Sequence, residues 1–421
     1  MTLKAMIAVL AAMGTAVCAG FATAIGVATT SPHPAVFVAA GFLALTMVGA
    51  AGTWLALRRL PRPGRARLTA ALVVSLVTAA SVAVLTPLGD PRSDPVPVRG
   101  LSFWELSTGS RLAYVRLPGR TPTRPTPVIV LHGGPGVPDM TGDSAFFGEL
   151  TADGFDVYVY DQLGAGRSSR LVDPTGYHLN RDVADLEHVR RTIGAARMVL
   201  IGHSYGGRLA AAYVAAHPDH VDSMVLSSPA PLDPGDTSPN RATTRLGTGE
   251  LLHTYAAALA PRALLGYTLL QVSPDAAHAY LDDPEADARN DAVLSLAEPG
   301  LHCSPAQAHG PVRGSGFYRL QYPQSAAAPP QPDLRPALRG SPVPTLILKG
   351  SCDYLSWRSA TDYRRTLPNS SVLYLQGAGH NTYQDQPEKV LAAVRAFLTG
   401  SPLPEPPYTR EAAPAGYAGH P

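Results

Sequence analysis

Three long apolar runs open the chain: no charged residue falls between Ala5 and Thr29, between Pro34 and Leu57, or between Leu68 and Leu88. Each is about 20 to 25 residues, the length a helix needs to cross a hydrocarbon core of about 30 Å. The pattern predicts three transmembrane helices. A rival reading applies to the first run alone. Lys4 precedes it and Ala22-Thr23-Ala24 resembles a signal-peptidase site, so a cleaved signal peptide stays open there. The segment joining the second and third runs, Arg58 to Arg67, carries five arginines. By the positive-inside rule it is cytoplasmic. The chain after about Gly89 is then expected outside a plasma membrane, as the large domain of a multi-pass protein. The runs hold no acidic residue, so they read as an anchor in contact with membrane lipid rather than an ion path.

Beyond a proline- and charge-punctuated linker, residues 89–100, the pattern shortens. Ser102 to Leu117 alternates like a hairpin around Thr108-Gly109-Ser110. Then come a wholly apolar run at Pro127 to Leu131 and further strand-like runs at Phe155 to Tyr160, Met198 to Ile201 and Val221 to Ser228, with a helix-spaced stretch at Asp182 to Ile193. Apolar strands alternating with helices predict a parallel sheet covered on both faces, with ligands beyond the strands' carboxyl ends. From Pro229 to Gly340 no buried strand appears. Four helical stretches there (Leu246 to Leu259, Arg262 to Leu270, Pro274 to Leu281, Ala286 to Ala297) predict a helical cap. Strands resume at Pro344 to Lys349 and Ser371 to Leu375, and an amphipathic helix, Val390 to Leu398, closes the fold. The expected divisions are a membrane region (1–88), the linker, an α/β core (101–230 and 341–400), the cap (231–340) and a disordered Pro/Gly/Ala-rich tail (401–421).

Candidate chemistry collects at the predicted strand ends. The strand at Met198 runs into Gly202-His203-Ser204-Tyr205-Gly206, a G-x-S-x-G junction that can hold a serine on a tight strand-to-helix turn. A serine hydroxyl needs a base, and the base needs an orienting group. His380 follows the last strand and Asp353 the one before it. Ser204 as nucleophile, His380 as general base and Asp353 as its partner form a complete triad. Asp362 and Asp385 are rivals for the acid, but neither directly follows a strand. His132-Gly133-Gly134-Pro135-Gly136 lies beyond another strand, where backbone N–H groups can face a cavity as an oxyanion hole requires.

With these motifs the sequence resembles an α/β-hydrolase of the proline iminopeptidase (prolyl aminopeptidase) type. Residues 132–136 match that family's H-G-G-P-G, and Asp161-Gln162 with Gly164, Gly166 and Ser168 is similar to its D-Q-R-G-x-G-x-S. Leu163 stands where the family has arginine, and the N-terminal helices lie outside the pattern. The resemblance implies a mostly parallel α/β-hydrolase sheet with a cap insertion, release of an N-terminal residue such as proline through an acyl-enzyme, and an oxyanion hole from the N–H groups of Gly134 and Tyr205. It further implies cap acids that bind the substrate amine. Glu250, Asp282, Glu285 and Glu298 are the candidates, each also readable as a solvated helix face. Ester or amide hydrolysis without a free amine is the alternative activity, and a non-catalytic receptor or interaction domain the alternative class.

Charge changes this picture little. With 34 basic and 32 acidic residues the net charge is +2, which supplies no field for nucleic acid. The expected partners are a small peptide or aminoacyl substrate and membrane lipid. No spacing resembles a metal site, and no cofactor is expected. Outside the first apolar run the only cysteines are Cys303 and Cys352, as a disulfide or as two buried thiols.

Overall fold

The computed structural model describes residues 3–58, 63–86, 97–236, 238 and 242–419. Residues 59–62 of the arginine-rich loop and 89–96 of the expected linker lie outside the described residues. Three helices come first: α1 (Leu3–Ala28), α2 (Pro34–Leu57) and α3 (Pro63–Leu85). The first two are long and apolar enough to cross a membrane; in α3 the apolar stretch is Ala71–Val82. Small residues let α1 and α2 approach closely, with Gly20 and Gly41 so near that a Cβ on either would meet the other's carbonyl oxygen.

Eight strands form one sheet in the order β1-β2-β4-β3-β5-β6-β7-β8. They are β1 (Leu101–Glu105), β2 (Arg111–Leu117), β3 (Val128–Leu131), β4 (Val157–Tyr160), β5 (Met198–His203), β6 (Val221–Ser227), β7 (Thr345–Gly350) and β8 (Ser370–Leu375). The alternating hairpin β1–β2 pairs antiparallel and joins β4 the same way; every pairing from β4 to β8 is parallel. The continuous apolar runs explain this difference. Every residue of β3, β4 and β7 is buried, as a strand covered on both faces requires. Burying each Val, Leu or Ile contributes about 1.5–3 kcal/mol. The helices α4 (Met140–Phe147), α5 (Leu179–Thr192) and α6 (Tyr205–Ala216) connect the first half of the sheet.

The insertion between β6 and β7 is helical: α7 (Thr248–Ala258), α8 (Pro261–Leu270), α9 (Pro274–Tyr280), α10 (Asp283–Ala297), and the short α11 (Phe317–Gln321) and α12 (Arg335–Leu338). Sequence periodicity places the first four to within a few residues but gives no sign of α11, which is shorter than two helical turns. After β7 come α13 (Trp357–Thr366), α14 (Thr382–Asp385) and α15 (Pro387–Thr399).

The tail corrects the sequence expectation. Residues 401–419 carry no helix or strand, yet they lie against the core instead of being disordered. Tyr408 N donates to Val372 O at 2.7 Å, and Ala418 N to Ser351 O at 2.8 Å. The Trp357 indole donates to Glu411 O, and the Tyr417 hydroxyl to Leu355 O at 2.6 Å. Low-complexity composition signals disorder only where no aromatic anchors interrupt it, and Tyr408 and Tyr417 both pack on Trp357.

Candidate active site

The strand ends deliver the side chains to one cavity of about 430 Å³, lined by Gly133, Gly134, Ser204 and His380 from the core and by Glu298 and Leu301 from the cap. Ser204 sits between β5 and α6 with φ 52° and ψ −114°, a left-handed conformation that costs a β-substituted residue roughly 1–3 kcal/mol. The turn survives because the backbone around it is fixed. Ser204 N donates to Ser227 O at 2.9 Å, and Ser204 O accepts from Gly207 N and Ala230 N. Position 206 must be glycine, since a Cβ there would collide with the Leu131 carbonyl.

His380 and Asp353 are joined directly, Nδ1 to Oδ1 at 2.8 Å, with both side chains buried. The imidazole lies between the rings of His203 and Tyr354, with centroids at 4.7 and 4.5 Å. His203 Nε2 donates to the His380 carbonyl at 3.2 Å. Burial depresses His203 to about 3, so this neighbour is neutral and does not oppose a charge on His380. Of the rival acids, Asp385 bonds His302 and Asp362 pairs with Arg358 and Arg365.

Sequence reasoning missed what stands behind Asp353. Lys349 is wholly buried, and its three protons have three acceptors: Asp353 Oδ2 at 2.7 Å, Leu355 O at 3.0 Å and Ser359 Oγ at 3.2 Å. Burial pushes the Asp353 carboxyl up, but the Lys349 charge and then His380 outweigh it and hold Asp353 well below the usual range. The available signal was a lysine inside an otherwise apolar strand, since lysine is almost never fully buried without a partner.

Gly134 has φ 114°, and a Cβ there would press on the backbone nitrogens of Gly136 and Val137. Gly133 packs so closely that an added Cβ would lie 3.1 Å from Ser204 Cβ. This glycine loop therefore borders the serine directly. Tyr205 opens α6, where a backbone N–H has no partner within the helix. Its hydroxyl donates to Asp182 at 2.6 Å, and the same carboxylate oxygen receives Arg319 of α11 at 2.6 Å. Asp161 supports the neighbouring turn: it is buried, accepts from Arg167 N at 2.8 Å, and burial raises its carboxyl to about 6.

Of the four candidate cap acids only Glu298 reaches the cavity. Glu250 caps its own helix by accepting from Gly247 N at 2.9 Å. Asp282 is the N-cap of α10 and accepts from Glu285 N. Glu285 is buried in a two-pronged pair with Arg262, at 2.7 Å on both oxygens, and also holds Arg289. These three are local fastenings, which helical position cannot distinguish from cavity-facing acids. Two carboxylates not foreseen, Asp139 and Asp143, do line the cavity. Burial, with Asp139 nearby, lifts Asp143 to about 8.

Glu298 also enters a second buried arrangement. His302 donates through Nε2 to Glu298 at 2.8 Å and through Nδ1 to Asp385 at 2.7 Å. Burial lowers the imidazole's pKa, but the two carboxylates raise it overall to about 9. Asp385 in turn accepts from Gly379 N at 2.5 Å, and His380 N donates to Leu301 O at 2.6 Å. Next in the chain, Cys303 is disulfide-bonded to Cys352, which adjoins Asp353. Residues 301–303 thus fasten the loops of Asp353 and His380 to the cap.

Among the described residues, two groups bring potential metal-ligand atoms within 4.8 Å: Glu187, His217 and His220, and Glu298, His302 and His309. In each the carboxylate is already committed, Glu187 to Arg190 and Arg191 and Glu298 to His302.

A family model described as the alpha/beta hydrolase fold matches residues 126–387. The chain belongs to the alpha/beta hydrolase fold family. Among related alpha/beta hydrolases, the proline iminopeptidase of Heyndrickxia coagulans is 28% identical over 65% of this chain and 90% of its own length. The mouse (lyso)-N-acylphosphatidylethanolamine lipase is 30% identical over 64% of this chain and 78% of its own. The crystal structure of VinJ superposes with a TM-score of 0.50 at 20% identity, covering 72% of this chain and 99% of that one; at that identity the likeness speaks to the fold alone. Within this alpha/beta hydrolase the position corresponding to the iminopeptidase motif's arginine, Leu163, is buried in the main apolar cluster.

Proposed function

We propose that the protein is a serine hydrolase that works through an acyl-enzyme. The observation carrying this reading is the junction at Ser204: a strained serine at a strand end, in one cavity with an imidazole bonded to a buried, ionised carboxylate. His380 takes the Ser204 proton through Nε2 as the hydroxyl oxygen attacks a carbonyl carbon. Asp353 fixes the tautomer by accepting from Nδ1–H and stabilises the imidazolium. The N–H groups of Gly134 and Tyr205 receive the developing oxyanion, each such donor being worth about 3 kcal/mol. His380 then protonates the leaving group, and water repeats the sequence to free the acid.

For the substrate we favour a short peptide or aminoacyl compound with a free amine. The motifs at 132–136 and 161–168 support it, as do the carboxylates of Asp139 and Glu298 on the cavity wall. A second reading, an ester or amide without the amine, draws on the local roles of Glu250, Asp282 and Glu285, and on a relative whose name is that of a lipase. In either reading α1, α2 and α3 anchor the protein in a membrane, α3 carrying the chain outward so that the hydrolase domain stands outside.

A fluorophosphonate probe tests the chemistry. It is expected to label the wild type and not Ser204→Ala; equal labelling of both would overturn the assignment. An aminoacyl arylamide compared with its N-blocked form then separates the substrates, and equal turnover would decide for the second reading.

A further inference from the structure

From Leu251 to Pro274 the chain carries one formal charge, Arg262. That guanidinium is buried, held by Glu285 and by the carbonyls of Leu85 and Tyr280. Beyond Glu250 in the first turn of α7, what α7, α8 and the following turn expose therefore carries no formal charge. Six large side chains stand out to solvent: Leu252, Tyr255, Leu259, Leu264, Tyr267 and Val272. Elsewhere after α3, among the described residues, only Phe103 and Val172 are large hydrophobics exposed to a comparable degree.

Spacing gathers these residues into stripes. Leu252, Tyr255 and Leu259 recur at three and four residues along α7 and just past it, and Leu264 and Tyr267 do so on α8. A helix facing water ordinarily turns a charged side outward, and an apolar patch of this kind marks a contact surface.

Its position says what it contacts. Helix α8 packs against α1 and α3, and α9 against α2. The Phe37 ring of α2 lies 6.0 Å from that of Tyr280, and Arg262 Nη1 donates to Leu85 O at the end of α3, at 2.9 Å. The apolar cap face is thus continuous with the ends of the helices read as membrane spans. We propose that the exposed face of α7 and α8 is a membrane-contact surface occupied by lipid of the adjoining leaflet. Tyr255 and Tyr267 have the apolar body and polar tip that suit the headgroup level. The aliphatic side chains suit the acyl boundary below it, as in helices that lie in the interface. Because the exposed face has no lysine or arginine, neutral phosphatidylcholine suffices as the surface. The proposal rests on α1, α2 and α3 being membrane spans.

The test uses the full chain in phosphatidylcholine nanodiscs holding one copy each, with the free Cys18 replaced by serine. An environment-sensitive fluorophore is placed at Tyr255→Cys, at Tyr267→Cys, or at Val172→Cys as a control. Lipids carrying a quencher in the upper acyl chain are expected to quench positions 255 and 267 severalfold and position 172 hardly at all. The pair Leu264→Asp and Tyr267→Asp should reduce quenching at 255 while fluorophosphonate labelling of Ser204 persists. Protein that enters the discs but shows no quenching at 255 or 267 overturns the proposal and leaves the anchor standing. A chain that stays out of the discs overturns both. Cross-linking between copies at position 267 in detergent, with no quenching in single-copy discs, would assign the face to a second copy instead.

Discussion

Core and cap both bury ionised side chains, and they use them differently. In the core the chain of partners Lys349, Asp353 and His380 runs one way, to the cavity that Ser204 also lines, and each link fixes the next. In the cap Arg262, Glu285 and Arg289 close on themselves and tie helices together, while the surface outside is apolar. Glu298 with His302 lies between the two regions, binding the cap to the loop of His380. A buried charge in this molecule therefore signals chemistry only when its partners lead to the cavity.

The strongest way to break that distinction is at its end point. Ser204→Ala is expected to lower kcat by roughly a million-fold, since removing the nucleophile of such a triad forfeits nearly all of its action. Hydrolysis of an activated ester measures it. Residual turnover within tenfold of wild type would mean that the core's charges converge on something else.

Lys349→Met probes the far end of the same chain. Removing one member of a buried pair leaves the other uncompensated, at a cost of about 3–5 kcal/mol in stability. Without that charge Asp353 loses its hold on ionisation. The kcat should fall by about a hundredfold or more with KM nearly constant, and the acid limb of the pH profile should move upward. A variant that unfolds less readily than this, with an unchanged pH profile, would make Lys349 a packing residue.

How much of this was legible follows from the same contrast. Ser204, Asp353 and His380 could be read because each follows a run of buried apolar residues, and a parallel sheet sends such ends to one edge. Lys349 in Thr345-Leu346-Ile347-Leu348-Lys349-Gly350 reads as one more strand position, because its meaning depends on a partner four residues on. The cap helices were readable from periodicity, whereas the direction of Glu250, Asp282 and Glu285 was not: a helix N-terminus, a capping carboxylate and a cavity acid look alike in one dimension. The tail's composition predicts disorder, and two tyrosines packed on Trp357 override it. Arg319 reaching Asp182 across 137 positions left no local signal at all.

The junction between regions gives two intermediate effects. Replacing Cys303 and Cys352 together by serine reopens a 49-residue loop, a change worth up to about 4 kcal/mol in chain entropy, to be read from denaturant midpoints with and without reductant. His302 adds a pH dependence. Its folded pKa of about 9 lies above the ordinary histidine value of about 6.5, so its contribution is complete below about pH 6.5 and fades as pH rises through 9. The melting temperature should decline over that window, and His302→Gln should flatten the decline. An unchanged slope would show that His302 is neutral where it sits.

The smallest effect is the most discriminating for the cap. Glu250 does no more than cap its helix through Gly247 N, so Glu250→Gln, which keeps an accepting oxygen, should change stability by under about 1 kcal/mol and leave KM for an aminoacyl arylamide within twofold. Glu285→Gln is the paired control. Its carboxylate is buried between Arg262 and Arg289, so it should lose stability severalfold more than Glu250→Gln while kcat/KM for folded enzyme stays the same. A rise in KM at either position, absent for the N-blocked substrate, would mean that the cap rearranges to bring that acid to the substrate amine. Fastening and recognition would then be two states of one side chain instead of properties of two regions.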